Sequence, residues 1–241
     1  MKNILPVPPE DLDPLAAEIL GGLRGQSDAK TLILGGYFAL KHYLNYRQTK
    51  DIDAWWSQSS TPAERQAAIN LLTKVLTQVA GQNSLELDER RSATTLSLEL
   101  KRDGATIFSV QIADRDRELE PPIPSPYPPV QIETLRDNIG AKMNALVNRG
   151  APRDFVDIYA IAQSGMATVP ELWDCWQQKN PQLDLHSAKA QVLRFLNGIE
   201  QRRPIEQMPA TERTRLTSVR GWFRQQLLSL PQQLPERGFE R

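Results

Sequence analysis

Leu12, Leu15, Ala16, Ile19, Leu20 and Leu23 recur at helical spacing, which predicts an amphipathic helix over residues 9–23, loosened at its end by Gly21, Gly22 and Gly25. The rhythm then changes. Leu32, Ile33 and Leu34 make a short apolar run stopped by Gly35 and Gly36, the pattern of a buried strand entering a tight turn. Phe38, Leu40, Tyr43 and Leu44 return to roughly helical spacing. Residues 50–56 read as a second strand, with Asp51 and Asp53 on one face and Ile52 on the other. Thr61-Pro62-Ala63-Glu64 supplies a cap, a first-turn proline and an acid, so a helix runs from there to about Ala80. Leu71, Leu72, Val75, Leu76 and Val79 form its buried face, and Gly81-Gln82-Asn83 ends it.

Two or three strands come next, with residues 85–88, 94–101 and 106–113 as candidates and Arg102-Asp103-Gly104 as the hairpin turn of the latter pair. Six of the 18 prolines then fall within residues 121–129. That stretch must be extended and stiff, and it reads as a crossing between two halves. Beyond it the periodicity is helical. Leu135, Ile139, Met143, Leu146 and Val147 stripe a helix over residues 131–148, and Gly150-Ala-Pro152 ends it. Arg153 opens the next helix, four residues before Asp157 and so in place for an ion pair with it. Helical runs are expected near residues 169–177, 186–198 and 211–230, with Leu172, Trp173 and Trp176 as core.

Composition narrows the classes. The 29 basic and 29 acidic residues cancel, so any attraction for nucleic acid must come from a local patch. Arg202, Arg203, Arg213, Arg215, Arg220 and Arg224, with Trp222 and Phe223, are the candidate RNA face; the interspersed Glu206 and Glu212 favour a plainly solvated one. The single cysteine, Cys175, excludes an internal disulfide framework and a cysteine-based zinc site. Only two histidines are present, and His42 reads as a packing or surface residue. The N-terminus lacks a signal-peptide pattern and no apolar run is long enough for a membrane helix, so a cytoplasmic protein is expected.

The candidate chemistry lies at residues 31–56. Two carboxylates about 7 Å apart along one strand face can converge on a hard divalent cation. Phosphates held at a turn without Cβ atoms would complete its coordination, since Mg²⁺ binds through one or two carboxylates plus substrate phosphates. No Walker-type glycine–lysine motif is present. Strand, Gly35-Gly36, helix and Asp51-Ile-Asp53 together resemble the signature of the nucleotidyltransferase superfamily that includes DNA polymerase beta. The Arg47-x-Thr49-x-Asp51-Ile-Asp53 lead-in looks like the AbiEii-type nucleotidyltransferases, known as toxins of toxin–antitoxin systems. Lys142-x-x-Ala145-Leu146-x-x-Arg149 and Arg153-Asp154-x-x-Asp157 resemble that family's later motifs, and the likeness covers residues 31–163.

This resemblance implies an α/β (α+β) nucleotidyltransferase core with a mixed sheet flanked by helices, residues 1–130. A C-terminal helical domain, residues 131–241, would close a nucleotide cleft over it. It implies Mg²⁺ on Asp51 and Asp53, and catalytic roles for these two with Lys142 and Asp157. Nucleotide would be held by Gly35, Gly36, Arg47, Thr49, Lys142, Arg149, Arg153 and Asp154. The implied partners are a nucleoside triphosphate, an RNA acceptor such as tRNA or else a protein hydroxyl, and a cognate antitoxin. Two departures stand out: many superfamily members have serine where Gly36 stands, and the fourteen residues between Gly36 and Asp51 make a slightly longer spacing than the superfamily's usual one. Gln111 occupies the strand position where a third carboxylate is sought. Asp114 is the nearest acid. An enzyme and a non-catalytic nucleotide-binding protein of the same fold both remain open at this point.

Overall fold

In the computed structural model, which describes residues 4–92 and 94–229, the run Leu32–Leu34 is the fully buried strand β1 (Leu32–Gly35). It lies between two partners. On one side β2 (Asp51–Trp56) pairs with it antiparallel; on the other β7 (Gln131–Ile132) pairs parallel. β2 in turn pairs parallel with β5 (Ala105–Ala113), followed by β4 (Thr95–Arg102) and β3 (Glu86–Arg91), both antiparallel. With β6 (Ile123–Pro124) beside β7, the mixed seven-stranded order is β3-β4-β5-β2-β1-β7-β6. The hairpin turn forms as expected, because Asp103 and Gly104 both adopt the positive φ that a two-residue connection demands.

One face of the sheet is apolar. Leu34, Ile52, Ala54, Val110 and Ile112 meet Leu20 of α1 (Pro14–Leu23) and Leu72 of α3 (Pro62–Asn83) there. Asp13 caps α1, and a reciprocal Thr61–Glu64 box starts α3. α3 passes through the expected glycine stop and ends at Ser84, in the left-handed region, with Leu85 N–H closing on Ala80 O at 2.9 Å. A Cβ at Gly81 would meet nothing, so that exposed glycine tolerates helix.

The other face carries Asp51, Asp53, Trp55 and Gln111. α2 (Gly36–Lys41) and α4 (Leu135–Asn148) pack on this side and on each other. The helix expected from residue 131 therefore starts four residues later. Gln131 and Ile132 satisfy their backbone in the sheet, Glu133 N–H donates to Leu34 O at 3.0 Å, and Thr134 caps α4. The sheet thus runs past residue 130. The proline stretch is extended as expected, but it is not a free crossing: it supplies β6, an edge position that tolerates proline.

α5 (Pro152–Gln163), α6 (Val169–Lys179), α7 (Leu185–Arg202) and α8 (Ala210–Trp222) follow, then a π-helical turn over Phe223–Leu227. The end of the last expected helix, at residue 230, lies outside the described residues. Leu172, Trp173 and Trp176 are core as expected, and His42 is packed, with ring nitrogens 2.9 Å from Phe38 O and 3.1 Å from the Tyr127 hydroxyl.

Candidate active site

Alternation along β2 buries Ile52, Ala54 and Trp56 and sends Asp51, Asp53 and Trp55 to the opposite face. Across the strands, Asp53 is aligned with Gly35 on one side and Gln111 on the other. Gly36 has φ +59°, and a Cβ there would lie 2.0 Å from Asp53 Oδ2. Glycine is therefore needed both for the backbone and for the carboxylate, which explains the absence of serine at this position. A Cβ at Gly35 would similarly meet Trp55 Nε1 at 2.0 Å. Burial and the neighbouring charge of Asp51 push the Asp53 carboxyl up to about 6, against Lys142, Arg149 and a hydrogen bond from the Tyr37 backbone N–H. The buried Thr49 donates its hydroxyl to Asp51.

Lys142 on α4 and Arg149 at its C-cap sit about two helical turns apart, facing this strand. Lys142 is buried, and its Nζ donates to Asp157 Oδ2 at 2.7 Å. Asp157 also accepts from Arg47 Nε at 3.1 Å and from the Tyr46 hydroxyl, while the Arg47 guanidinium lies 3.4 Å above the Tyr37 ring centre. Burial alone would raise the Asp157 pKa; Lys142 and Arg47 outweigh it and hold the carboxyl below its ordinary value. The expected Arg153–Asp157 pair does not form. Asp157 points inward to partners distant in sequence, and Arg153 is exposed on the first turn of α5. Asp154 accepts from Arg149 Nε at 3.0 Å and Nη2 at 2.9 Å, and caps α5 through Ala151 N–H at 2.9 Å. The two acids of Arg-Asp-x-x-Asp thus each hold one cation of α4.

Gly36, Asp53, Lys142 and Arg149 line one cavity of about 350 Å³, within the range of small-molecule sites. Gly35, Arg47, Thr49, Asp51, Arg153, Asp154 and Asp157 do not line it, although Asp154 and Asp157 hold the side chains of Arg149 and Lys142 that do. Gln111 does occupy the strand next to Asp53, and Asp114 is at the rim, 59% exposed and 2.8 Å from Arg65. The sequence reading missed Glu133, an acid just past β7 that is 1% exposed and lines the same cavity. It also missed Arg115 and Lys179, which flank the buried Asp137. No group of three His, Cys, Asp or Glu side chains able to hold a metal occurs among the described residues, so a cation here would rely on two carboxylates and its ligand's phosphates.

Of the candidate RNA face, Arg202, Arg203, Arg213 and Arg215 are exposed and Trp222 is half-buried. Phe223 is fully buried, Trp222 packs edge-on against Tyr159, Arg220 donates to Arg203 O at 2.7 Å, and Arg224 pairs with Glu200. No helix among the described residues is long and apolar enough to cross a membrane.

Comparison with curated proteins returns no match. Among solved structures, the Megavirus polyadenylate synthase is similar at 10% identity and a TM-score of 0.38, over 92% of this chain and 51% of that one. The chain therefore spans about half the length of that protein, 51%. The family model described as nucleotidyl transferase AbiEii toxin, type IV toxin–antitoxin system, matches residues 18–240. Nearly the whole chain is covered, and the protein belongs to the AbiEii nucleotidyltransferase toxin family.

Proposed function

We propose that the chain transfers a nucleoside monophosphate from a nucleoside triphosphate to a hydroxyl of RNA, with tRNA the first acceptor to test and a protein hydroxyl the second. It would do so with Mg²⁺, in the cytoplasm, as a toxin held in check by a cognate antitoxin protein. The observation that carries this reading is the meeting of Asp53 and Lys142 in one cavity, from a strand and a helix 89 positions apart in sequence. The donor set fits Mg²⁺: two carboxylates share a strand face, and the charge of one raises the pKa of the other, a repulsion that a divalent cation relieves. Held there, the ion would supply positive charge to offset the negative charge that builds on the phosphates during transfer.

The chain's own residues supply the rest. Asp51, oriented by Thr49, and Asp53 would hold the ion. Lys142, fixed by Asp157 and Arg47, keeps two of its three donors for phosphate. Arg149, set by Asp154, adds a planar pair of donors at the same wall. Gly36 lets phosphate approach the backbone beside Asp53. The helical half from about residue 131 closes the cleft through α4. The test is incubation of the protein with each α-labelled nucleoside triphosphate, Mg²⁺ and total RNA. Label should enter RNA and be lost in Asp53→Ala. One observation favours a second reading, a catalytically weak nucleotide-binding protein: Gln111, aligned with Asp53, brings no negative charge. Triphosphate binding without incorporation from any nucleotide would select it.

A further inference from the structure

Among the described residues, four acids are essentially withdrawn from solvent: Glu133, Asp137, Asp154 and Asp157. Three have cations. Asp137 pairs with Arg115 and Lys179, Asp154 with Arg149, and Asp157 with Arg47 and Lys142. Glu133 has no ion pair among the described residues. A buried carboxyl without a counter-charge is costly unless something else fixes it, and here two neutral donors do. Trp55 Nε1 donates to Oε1 at 2.8 Å and Asn138 Nδ2 to Oε2 at 2.9 Å. The same Asn138 amide reaches Gly36 O at 2.7 Å, tying the acid to the glycine turn beside Asp53.

Strand register gives its position relative to the site. Ile132 is aligned with Leu34, and Gly35 with Asp53, so Glu133, Gly35 and Asp53 form a transverse row on one face. The backbones of Glu133 and Asp53 are then two strand spacings apart, about 10 Å, with the residue between them lacking a Cβ. Both acids line the cavity.

Resting on the nucleotidyl-transfer reading above, we propose that Glu133 is the group that accepts the proton of the attacking hydroxyl, entering the cavity from the side of Asp53 opposite Gln111. Its carboxylate takes that proton as the hydroxyl oxygen bonds to the α-phosphorus. The bond from that phosphorus to the oxygen bridging to the β-phosphate breaks, and pyrophosphate leaves with the electron pair. This explains how a site with an amide on the strand next to Asp53 retains a proton acceptor. Burial, then the charge of Asp137, push the Glu133 carboxyl up to about 7, opposed by the Asn138 hydrogen bond and the more distant Arg115 and Lys179. The groups facing it are Trp55 from β2, Asn138 and Asp137 from α4, and Tyr43, whose hydroxyl donates to Glu133 O, after α2. A general base works best with a pKa near the operating pH.

Two measurements test the proposal. The first is the pH dependence of single-turnover transfer of label to total RNA by the wild type, Glu133→Gln and Glu133→Asp. The wild-type rate should rise through a limb near pH 7. Glu133→Gln should be about 100-fold slower or more at pH 8 and lack the limb. Glu133→Asp should recover part of the rate and keep the limb. The second uses no nucleotide: the emission difference between wild type and Trp55→Phe should show a transition near pH 7, absent in Glu133→Gln. A Glu133→Gln enzyme within threefold of wild type, or one that keeps the limb, overturns the inference while leaving nucleotidyl transfer standing, as does a missing emission transition. Failure of the wild type to transfer any nucleotide overturns both.

Discussion

Gly36→Ala is the smallest change that probes the site's geometry. At φ +59° an alanine carries the strain of the left-handed region, about 1–2 kcal/mol. Its methyl would also lie 2.0 Å from Asp53 Oδ2 and 2.7 Å from Asp53 Cβ, far inside contact distance. Because Cβ itself is close, rotation of the carboxylate alone does not relieve the clash, and the turn or β2 must move by about 1 Å to restore ordinary carbon contacts. Overpacking of this kind typically adds about 1–3 kcal/mol, for a total of about 2–5 kcal/mol. A displacement of about 1 Å at the reacting centre costs on the order of 100-fold in rate. Urea unfolding should show the lost stability, and single-turnover transfer the lost rate. An alanine variant with wild-type midpoint and wild-type rate would refute the claim that Asp53 is seated against this glycine.

Other expectations follow from the same contacts. Asp157→Asn leaves Lys142 and Arg47 facing a neutral group in a buried site, so urea unfolding should show a loss of about 3–5 kcal/mol; Lys142→Met should cost less, because Asp157 keeps Arg47, yet should abolish transfer. Equal destabilisation by the two variants would contradict the assigned network. Because Asp157 titrates below its unfolded value, its contribution is present above the unfolded pKa and is lost as pH falls through the folded one; acid unfolding of Asp157→Asn should lack that step. Glu133 has the opposite sign: its folded pKa, about 7 against an ordinary 4.5, makes the native state hold the proton longer, so stability falls as pH rises across that interval. Relative to wild type, Glu133→Gln should gain about 3 kcal/mol between pH 4.5 and pH 7, read as the change in the difference of unfolding free energies; a constant difference would refute it. A triphosphate with Mg²⁺ at about 100 times its Kd should stabilise the protein by about 2.7 kcal/mol in a thermal melt. The same nucleotide with chelator should do much less, and equal shifts would count against metal-assisted binding.

What the sequence made legible were features written in adjacent residues. Period-two alternation placed Asp51 and Asp53 on one face, the Thr61–Glu64 box fixed a helix start, and Asp103-Gly104 matched its turn. Glu133 was hidden because the strand it follows is only Gln131–Ile132, too short to show a period, and it abuts a true helical stripe. The Arg153–Asp157 expectation failed for a related reason. Local spacing permits that pair, but burial of Asp157 on the α4 side gives it Lys142 and Arg47, partners that no helical register reveals. Likewise, the arginines near the C-terminus form a stripe in sequence, but only the fold shows that Phe223 is buried against Phe155 and Trp222 half-buried against Tyr159 while Arg202, Arg203, Arg213 and Arg215 stay exposed.

On the proposed reading, the glycine turn, Asp53 and Lys142 enclose one binding site for a metal-bound triphosphate. The decisive experiment is a crystal structure with Mg²⁺ and a non-hydrolysable triphosphate. The ion is expected on Asp51 and Asp53, with the phosphates between Gly36 and Lys142. Phosphates bound elsewhere, or against Lys142 with the ion away from both aspartates, would contradict it.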